Sequence, residues 1–235
     1  MENRRIFEHV DVEFTYDDLV TETTDNGRKY VIDKENKLPS ITTVLSILTR
    51  ASIAAWRKRV GAKEADKIMR QASGRGTDVH KIIEDYIDNV EDFDAGYFPH
   101  IIDNFMDLKP IIDERIGKIY AQEQPLYSTH LGVAGRVDCV AEFDGKLSII
   151  DFKTSRKRKT RSKCYNYFMQ AAGYAVMWEE RTGMPITQLV TIMAVDHEDP
   201  IVFVEQRDEW IGKLQETIEQ YNQENPKWMQ TRSVH

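Results

Sequence analysis

Residues 135–157 read GRVDCVAEFDGKLSIIDFKTSRK, and this stretch decides the fold. Residues 133–143 read as one strand and 146–153 as the next, joined by Asp144-Gly145, a pair that favours a two-residue hairpin turn. The run Leu147, Ser148, Ile149, Ile150 marks a mostly buried strand that delivers Asp151-Phe152-Lys153 at its end. Side chains two apart on a strand share a face, so Asp151 and Lys153 point the same way. Asp138, on the first arm, is brought near them by the hairpin. Two carboxylates and an ammonium then converge at a strand end, where sheet proteins often place their sites. Carboxylates are hard oxygen ligands for Mg²⁺, and a neighbouring lysine stabilises developing phosphate charge or orients an attacking water. The plainer alternative is an exposed hairpin with scattered charges.

Working outward, residues 117–127 read as a third strand, and 187–195 and 200–206 as extended segments. Helical periodicity covers 163–181 and 208–223 downstream. Upstream, Ser40 is a candidate N-cap, and 52–71 is helical with a break near Gly61. Gly74 and Gly76 punctuate the chain before an amphipathic helix at 77–90, whose apolar positions are Val79, Ile82, Ile83, Tyr86 and Ile87. Residues 98–116 form a further helical region with Pro110 as a kink or break. Residues 6–14 and 28–32 look extended, with Asp25-Asn26-Gly27 as a turn between them. This order predicts an α/β or α+β domain: a central mixed sheet flanked by helices, with an N-terminal helical region.

Composition narrows the function. The 235 residues are 41% hydrophobic and 30% charged, which is globular composition. The longest apolar runs fall far short of a membrane span, and the N-terminus has no apolar signal core. Two cysteines, Cys139 and Cys164, without a CxxC give no support for a disulfide scaffold, a cysteine-rich zinc site or a four-cysteine iron–sulfur cluster. The expected compartment is reducing, intracellular and cytoplasmic. The formal charge of −7 argues against a generic polyanion-binding surface. Its distribution argues otherwise. Residues 156–163, RKRKTRSK, carry six basic groups and no acid, and without those six the charge would fall from −7 to −13. Residues 78–94 carry seven acids against one lysine.

Two more elements complete the pattern. His80 sits one turn before Glu84 on the same helix face, so Glu84 is either a salt-bridge partner or a carboxylate orienting His80. Gln170 and Tyr174, four apart, share a face of the helix that follows the basic run, beside small Ala171 and Gly173. Either residue alone is compatible with ordinary helix packing. Taken in order, His80, Asp138, Asp151-Phe152-Lys153, and Gln170 with Tyr174 resemble the PD-(D/E)XK nuclease superfamily, in its RecB-type exonuclease branch. The resemblance spans roughly residues 30–195 and includes the lead-in segments LPSITTVLSIL and GRGTDVHKIIE.

That resemblance implies a restriction-endonuclease-like α/β fold and metal-dependent phosphodiester hydrolysis. By position, His80, Asp138, Asp151 and the Phe152 carbonyl would bind one or two Mg²⁺ or Mn²⁺ ions, with no iron–sulfur cluster. Lys153 would position or activate the attacking water. Gln170 and Tyr174 would hold the phosphate and the Lys153 side chain. Glu123, on the preceding strand, is a candidate extra acidic ligand. The expected layout is one nuclease domain over 1–235, with a hairpin and helical part at 1–120, the catalytic sheet at 121–206, and a C-terminal helix and tail at 207–235.

The partner implied is DNA, single-stranded or with free ends, without membrane contact; any replication or recombination proteins are unidentified. Arg75, Arg136, Arg156, Lys157, Arg158, Lys159, Arg161 and Lys163 are the candidate nucleic-acid contacts, with Arg57-Lys58-Arg59 extending the groove. Tyr165, Tyr167 and Phe168 either stack on unpaired bases or pack in the helix core. The expected activity is a DNA exonuclease in replication, recombination or repair. A structure-specific endonuclease on the same fold and a non-catalytic binding module are the competing readings.

Overall fold

The Asp144-Gly145 turn closes the hairpin with φ of 51° and 75°, both positive, as a tight two-residue turn between right-twisted strands requires. Asp144 is further held by Arg115, whose Nε and Nη2 donate to its carboxylate at 3.0 and 2.6 Å. The computed structural model describes residues 4–16, 18–25 and 27–226. The expected turn residue Asn26 and the tail 227–235 lie outside these.

The chain runs β1 (Thr21–Thr24), β2 (Gly27–Val31), β3 (Lys37–Pro39), α1 (Ile41–Leu45), α2 (Ile47–Val60), α3 (Ala62–Ile87), α4 (Pro99–Arg115), β4 (Ile116–Ser128), β5 (Val133–Phe143), β6 (Lys146–Ser155), α5 (Tyr165–Thr182), β7 (Gln188–Val195), β8 (Glu198–Gln206) and α6 (Arg207–Glu224). A short 3₁₀ turn at Arg161–Lys163 precedes α5. The main sheet has order β4-β5-β6-β7-β8. Only β6 and β7 pair in parallel, as the α5 crossover between them demands. The fold is a mixed five-stranded sheet flanked by helices, and a separate three-stranded sheet holds β1, β2 and β3.

Each face of the main sheet carries its own apolar core. On one face, α3 and α4 bring Val79, Ile82, Ile83, Tyr86, Ile87, Phe105 and Leu108 against Cys139, Ile150, Phe152 and Val190. The apolar stripe expected from the 77–90 periodicity is thus the buried face of α3. On the other, α1, α5 and α6 bring Ile41, Phe168, Trp178, Leu214 and Tyr221 against Val137, Val140, Ile149 and Leu189. Strand β7 is buried along its whole length, as a strand covered on both faces should be.

Three local expectations need correction. Gly74 and Gly76 do not interrupt the helix: α3 runs unbroken from Ala62 to Ile87, and its continuous hydrogen-bond ladder overrides their weak helix propensity. Pro110 does not end α4 either. Its ring lies on the exposed side, and Met106 one turn earlier is 51% exposed, so water can serve the carbonyl that proline leaves without a donor. Residues 6–14 make no named strand; His9 forms an isolated bridge with Ile119, and Val10 N–H donates to the Ile119 carbonyl at 2.7 Å.

A side chain at Gly145 would have to adopt its positive φ at a cost of about 1 kcal/mol. Gly145→Ala is therefore expected to lower the melting temperature by roughly 3 °C, readable by circular dichroism. An unchanged melt would show that the turn is not under this constraint.

Candidate active site

The main-chain ladder between β5 and β6 runs from the turn to Cys139 opposite Ile150 and stops there. Continuing the register would set Asp138 opposite Asp151. Instead the Asp138 carboxylate accepts the Phe152 N–H at 2.9 Å. His80, arriving on α3, places Nε2 2.7 Å from the Phe152 carbonyl and Nδ1 3.6 Å from the same Asp138 oxygen. Both main-chain polar groups of Phe152 are thereby held by side chains, and the strands part around this residue.

Asp151 is almost fully buried. One oxygen accepts from Lys153 Nζ, and the other, Oδ2, has no hydrogen-bond partner. A buried carboxylate oxygen left unpaired is costly, and such atoms often face a missing ion or water. Burial pushes the Asp151 carboxyl up against the pull of Lys153. Burial also works against the Lys153 charge, but Asp151 and Asp138 outweigh it and hold the ammonium above its ordinary range.

Glu123 completes the cluster. It lies on β4 between Gln122, opposite Cys139, and Gln124, opposite Val137, so the register sets it against Asp138. His80, Glu123 and Asp138 each offer one ligand atom, all within 4.8 Å of one another. Burial first, then the Asp138 charge, raises the Glu123 carboxyl to about 7. One imidazole and two carboxylates whose ligand atoms converge in this way suit a divalent metal ion. An open cavity of about 460 Å³, lined by Ser73, Gly76, Thr77, His80, Lys81, Glu84 and Glu123, leads to this cluster.

On the opposite side, Gln170 Nε2 donates to the Tyr174 hydroxyl at 3.2 Å. Burial holds the Tyr174 phenol well above its usual range, so it stays a neutral hydrogen-bond donor. Gly135 makes room for it: a Cβ there would sit 2.6 Å from a Tyr174 ring carbon. Sequence reading gave Gly135 no role, because only the packing of α5 on β5 reveals the close approach. The Lys153 ammonium lies 5.2 Å from the Tyr167 ring centre, and Lys159 donates to the Tyr167 hydroxyl at 2.7 Å. Phe168 is buried in the core, and Glu84 pairs with Lys81 at 3.1 Å rather than with His80.

The structure divides the basic candidates. Arg156, Lys157, Arg158 and Lys163 are exposed just beyond Lys153. Arg161 is tied to Glu205 by two bonds of 2.6 Å and to Glu209 at 3.0 Å. Arg75 pairs with Asp196 at 2.6 Å, and Arg136 with Asp18 at 2.6 Å and with the Glu123 carbonyl. Lys58, Arg59, Lys63, Lys67 and Arg70 are exposed on α2 and the first half of α3. No helix among the described residues is long and apolar enough to cross a membrane.

The class that this fold and cluster define is a nuclease, and the family model of the PD-(D/E)XK nuclease superfamily matches residues 107–232. That is more than half of the chain, and the chain belongs to this superfamily. It is also similar to the mouse protein Mitochondrial genome maintenance exonuclease 1, at 26% identity over 134 residues, covering 54% of this chain and 39% of that protein. The human protein of that name is 25% identical over the same coverage. The match thus spans well under half the length of these relatives. A crystal structure from Eubacterium rectale, provisionally named an exonuclease, covers 68% of this chain and 66% of its own at 15% identity and a TM-score of 0.43.

The raised Glu123 carboxyl gives a signed pH dependence. Between about pH 4.5 and 7 the unfolded chain has ionised this group while the fold retains its proton, so raising the pH favours unfolding. After discounting for the part of the side chain that solvent reaches, the loss is about 2 kcal/mol, complete above roughly pH 7 and absent well below pH 4.5. In chelator, Glu123→Gln is expected to melt about 5 °C above the wild type at pH 8 and close to it at pH 4.5. A difference independent of pH would contradict this electrostatic origin.

Proposed function

We propose that this chain is a divalent-metal-dependent DNA exonuclease. The observation that carries the reading is the meeting of His80, Glu123 and Asp138 with the buried Asp151–Lys153 pair where β5 and β6 separate. Asp138, Asp151, His80, Glu123 and the Phe152 carbonyl are the groups that would hold one or two Mg²⁺ or Mn²⁺ ions. When bound, such an ion neutralises charge on the scissile phosphate and lowers the pKa of a coordinated water.

The chain's own groups do the rest. Lys153, anchored by Asp151, presents a fixed ammonium where the attacking water and the phosphate charge must be held. Gln170 and Tyr174 form a neutral pair on α5, suited to orienting a phosphate oxygen without adding charge. His80 fixes the Phe152 peptide, and so the spacing of Asp138 and Asp151. The exposed lysines and arginines at 156–163 and on α2 and α3 provide sequence-independent attraction for phosphates, which falls steeply with salt. The choice of DNA and of an exonucleolytic mode rests on the names of the curated relatives. The proposed role in replication, recombination or repair rests on that substrate.

The test is single-turnover digestion of end-labelled linear DNA beside covalently closed circles. With Mg²⁺ or Mn²⁺, the wild type is expected to shorten the linear DNA and leave the circles closed. Asp151→Ala and Lys153→Ala are each expected to lose at least about 100-fold in rate. Opening of the circles would overturn the exonucleolytic mode, and linear DNA intact under both metals would overturn the nuclease mechanism.

A further inference from the structure

Glu123 is a non-glycine residue with φ of 46° inside strand β4, the left-handed region that a strand residue avoids. Its neighbours Gln122 and Gln124 keep their partners on β5, so the irregularity is confined to this one residue. Such a conformation costs free energy and persists only where surrounding contacts enforce it.

Arg136 contacts this residue's main chain. From β5 it donates Nη1 to the Glu123 carbonyl, while Nη2 donates to Asp18 at 2.6 Å. The planar guanidinium is thus fixed at two points, and a rigid fork of this kind sets the plane of the peptide it holds. Asp18 lies in the N-terminal segment, far from the site in sequence. The result is that the Glu123 carboxylate joins His80 and Asp138 with their ligand atoms within 4.8 Å.

We infer that Arg136 is a positioning residue: it holds Glu123 in the left-handed conformation that turns its carboxylate into the ligand cluster. Asp18 orients the guanidinium for this task. The basic side chain beside Asp138 therefore serves the metal centre from within the protein rather than gripping a phosphate. Groups that orient ligands from outside the coordination sphere typically contribute 10–100-fold to metal affinity.

This inference rests on the proposed reading of the cluster as a metal centre, and the experiment separates the two. Mn²⁺ binding to the metal-free full chain is measured by calorimetry at one pH for wild type, Arg136→Gln, Glu123→Gln and the double variant, with melting curves confirming the fold. Arg136→Gln is expected to weaken Mn²⁺ about tenfold, and to add nothing in the Glu123→Gln background, since it acts through Glu123. Asp18→Asn keeps the guanidinium and is expected to give a smaller loss; it carries the test if Arg136→Gln does not fold. If the wild type binds Mn²⁺ and both Arg136→Gln and Asp18→Asn bind it equally well, the positioning role is overturned while the metal centre stands. An additive loss in the double variant also overturns it. A wild type that binds no Mn²⁺ overturns both.

Discussion

The site depends on the main chain of one residue, Phe152. At Phe152 the sheet ladder between β5 and β6 has ended, yet the residue is buried. A buried N–H or carbonyl left without a partner costs about 1–3 kcal/mol, so the strands can part here only because side chains replace the missing ladder. Asp138 takes the N–H and His80 meets the carbonyl. Those two side chains come from β5 and α3, so the same pair of bonds that completes the sheet also locks α3 onto it. The apolar stripe of α3 packed over Phe152 and Ile150 fixes the approach from which His80 must come.

The second constraint is charge. Asp138 and Glu123 converge at His80, and Asp151, which feels the Asp138 charge, pairs with the Lys153 ammonium. Burial first, and then the Asp138 charge, push Asp151 and Glu123 upward, and one Asp151 oxygen is left with no donor. A fold optimised for stability alone would not keep such a set. Strained and underpaired groups concentrate where function requires them. A bound divalent cation would supply the missing positive charge and give the orphaned oxygen a partner. The left-handed Glu123 belongs to the same economy: local backbone cost accepted so that a third carboxylate can face inward.

Much of this was legible in the chain. The Asp-Gly turn and the apolar run before Asp151 fix the hairpin, because turn chemistry and period-two patterning are local signals. The stripe from Val79 to Ile87 announces the helix face that carries His80. The partnership of Glu123 with Asp138 could be offered only as a candidate, since it depends on the register of β4 against β5 across a loop. Gly74, Gly76 and Pro110 mislead because hydrogen-bond continuity and solvent exposure offset their local costs. The pairing of the basic groups is not a local signal. Arg161 is engaged by Glu205 and Glu209, and Lys159 by Tyr167, partners that lie too far along the chain or on an unreadable face. Arg75 and Arg136 are likewise engaged by carboxylates from distant segments. Charge counts see the cations; only the fold shows which of them are already paired.

The most direct measurement is the anomalous scattering of a Mn²⁺-soaked crystal. A peak is expected between β5 and β6, with an oxygen of Asp138 and Oδ2 of Asp151 as ligands and Lys153 still paired to Asp151. A peak elsewhere on the surface, or none at all with the Asp151 oxygen facing only protein, would contradict it.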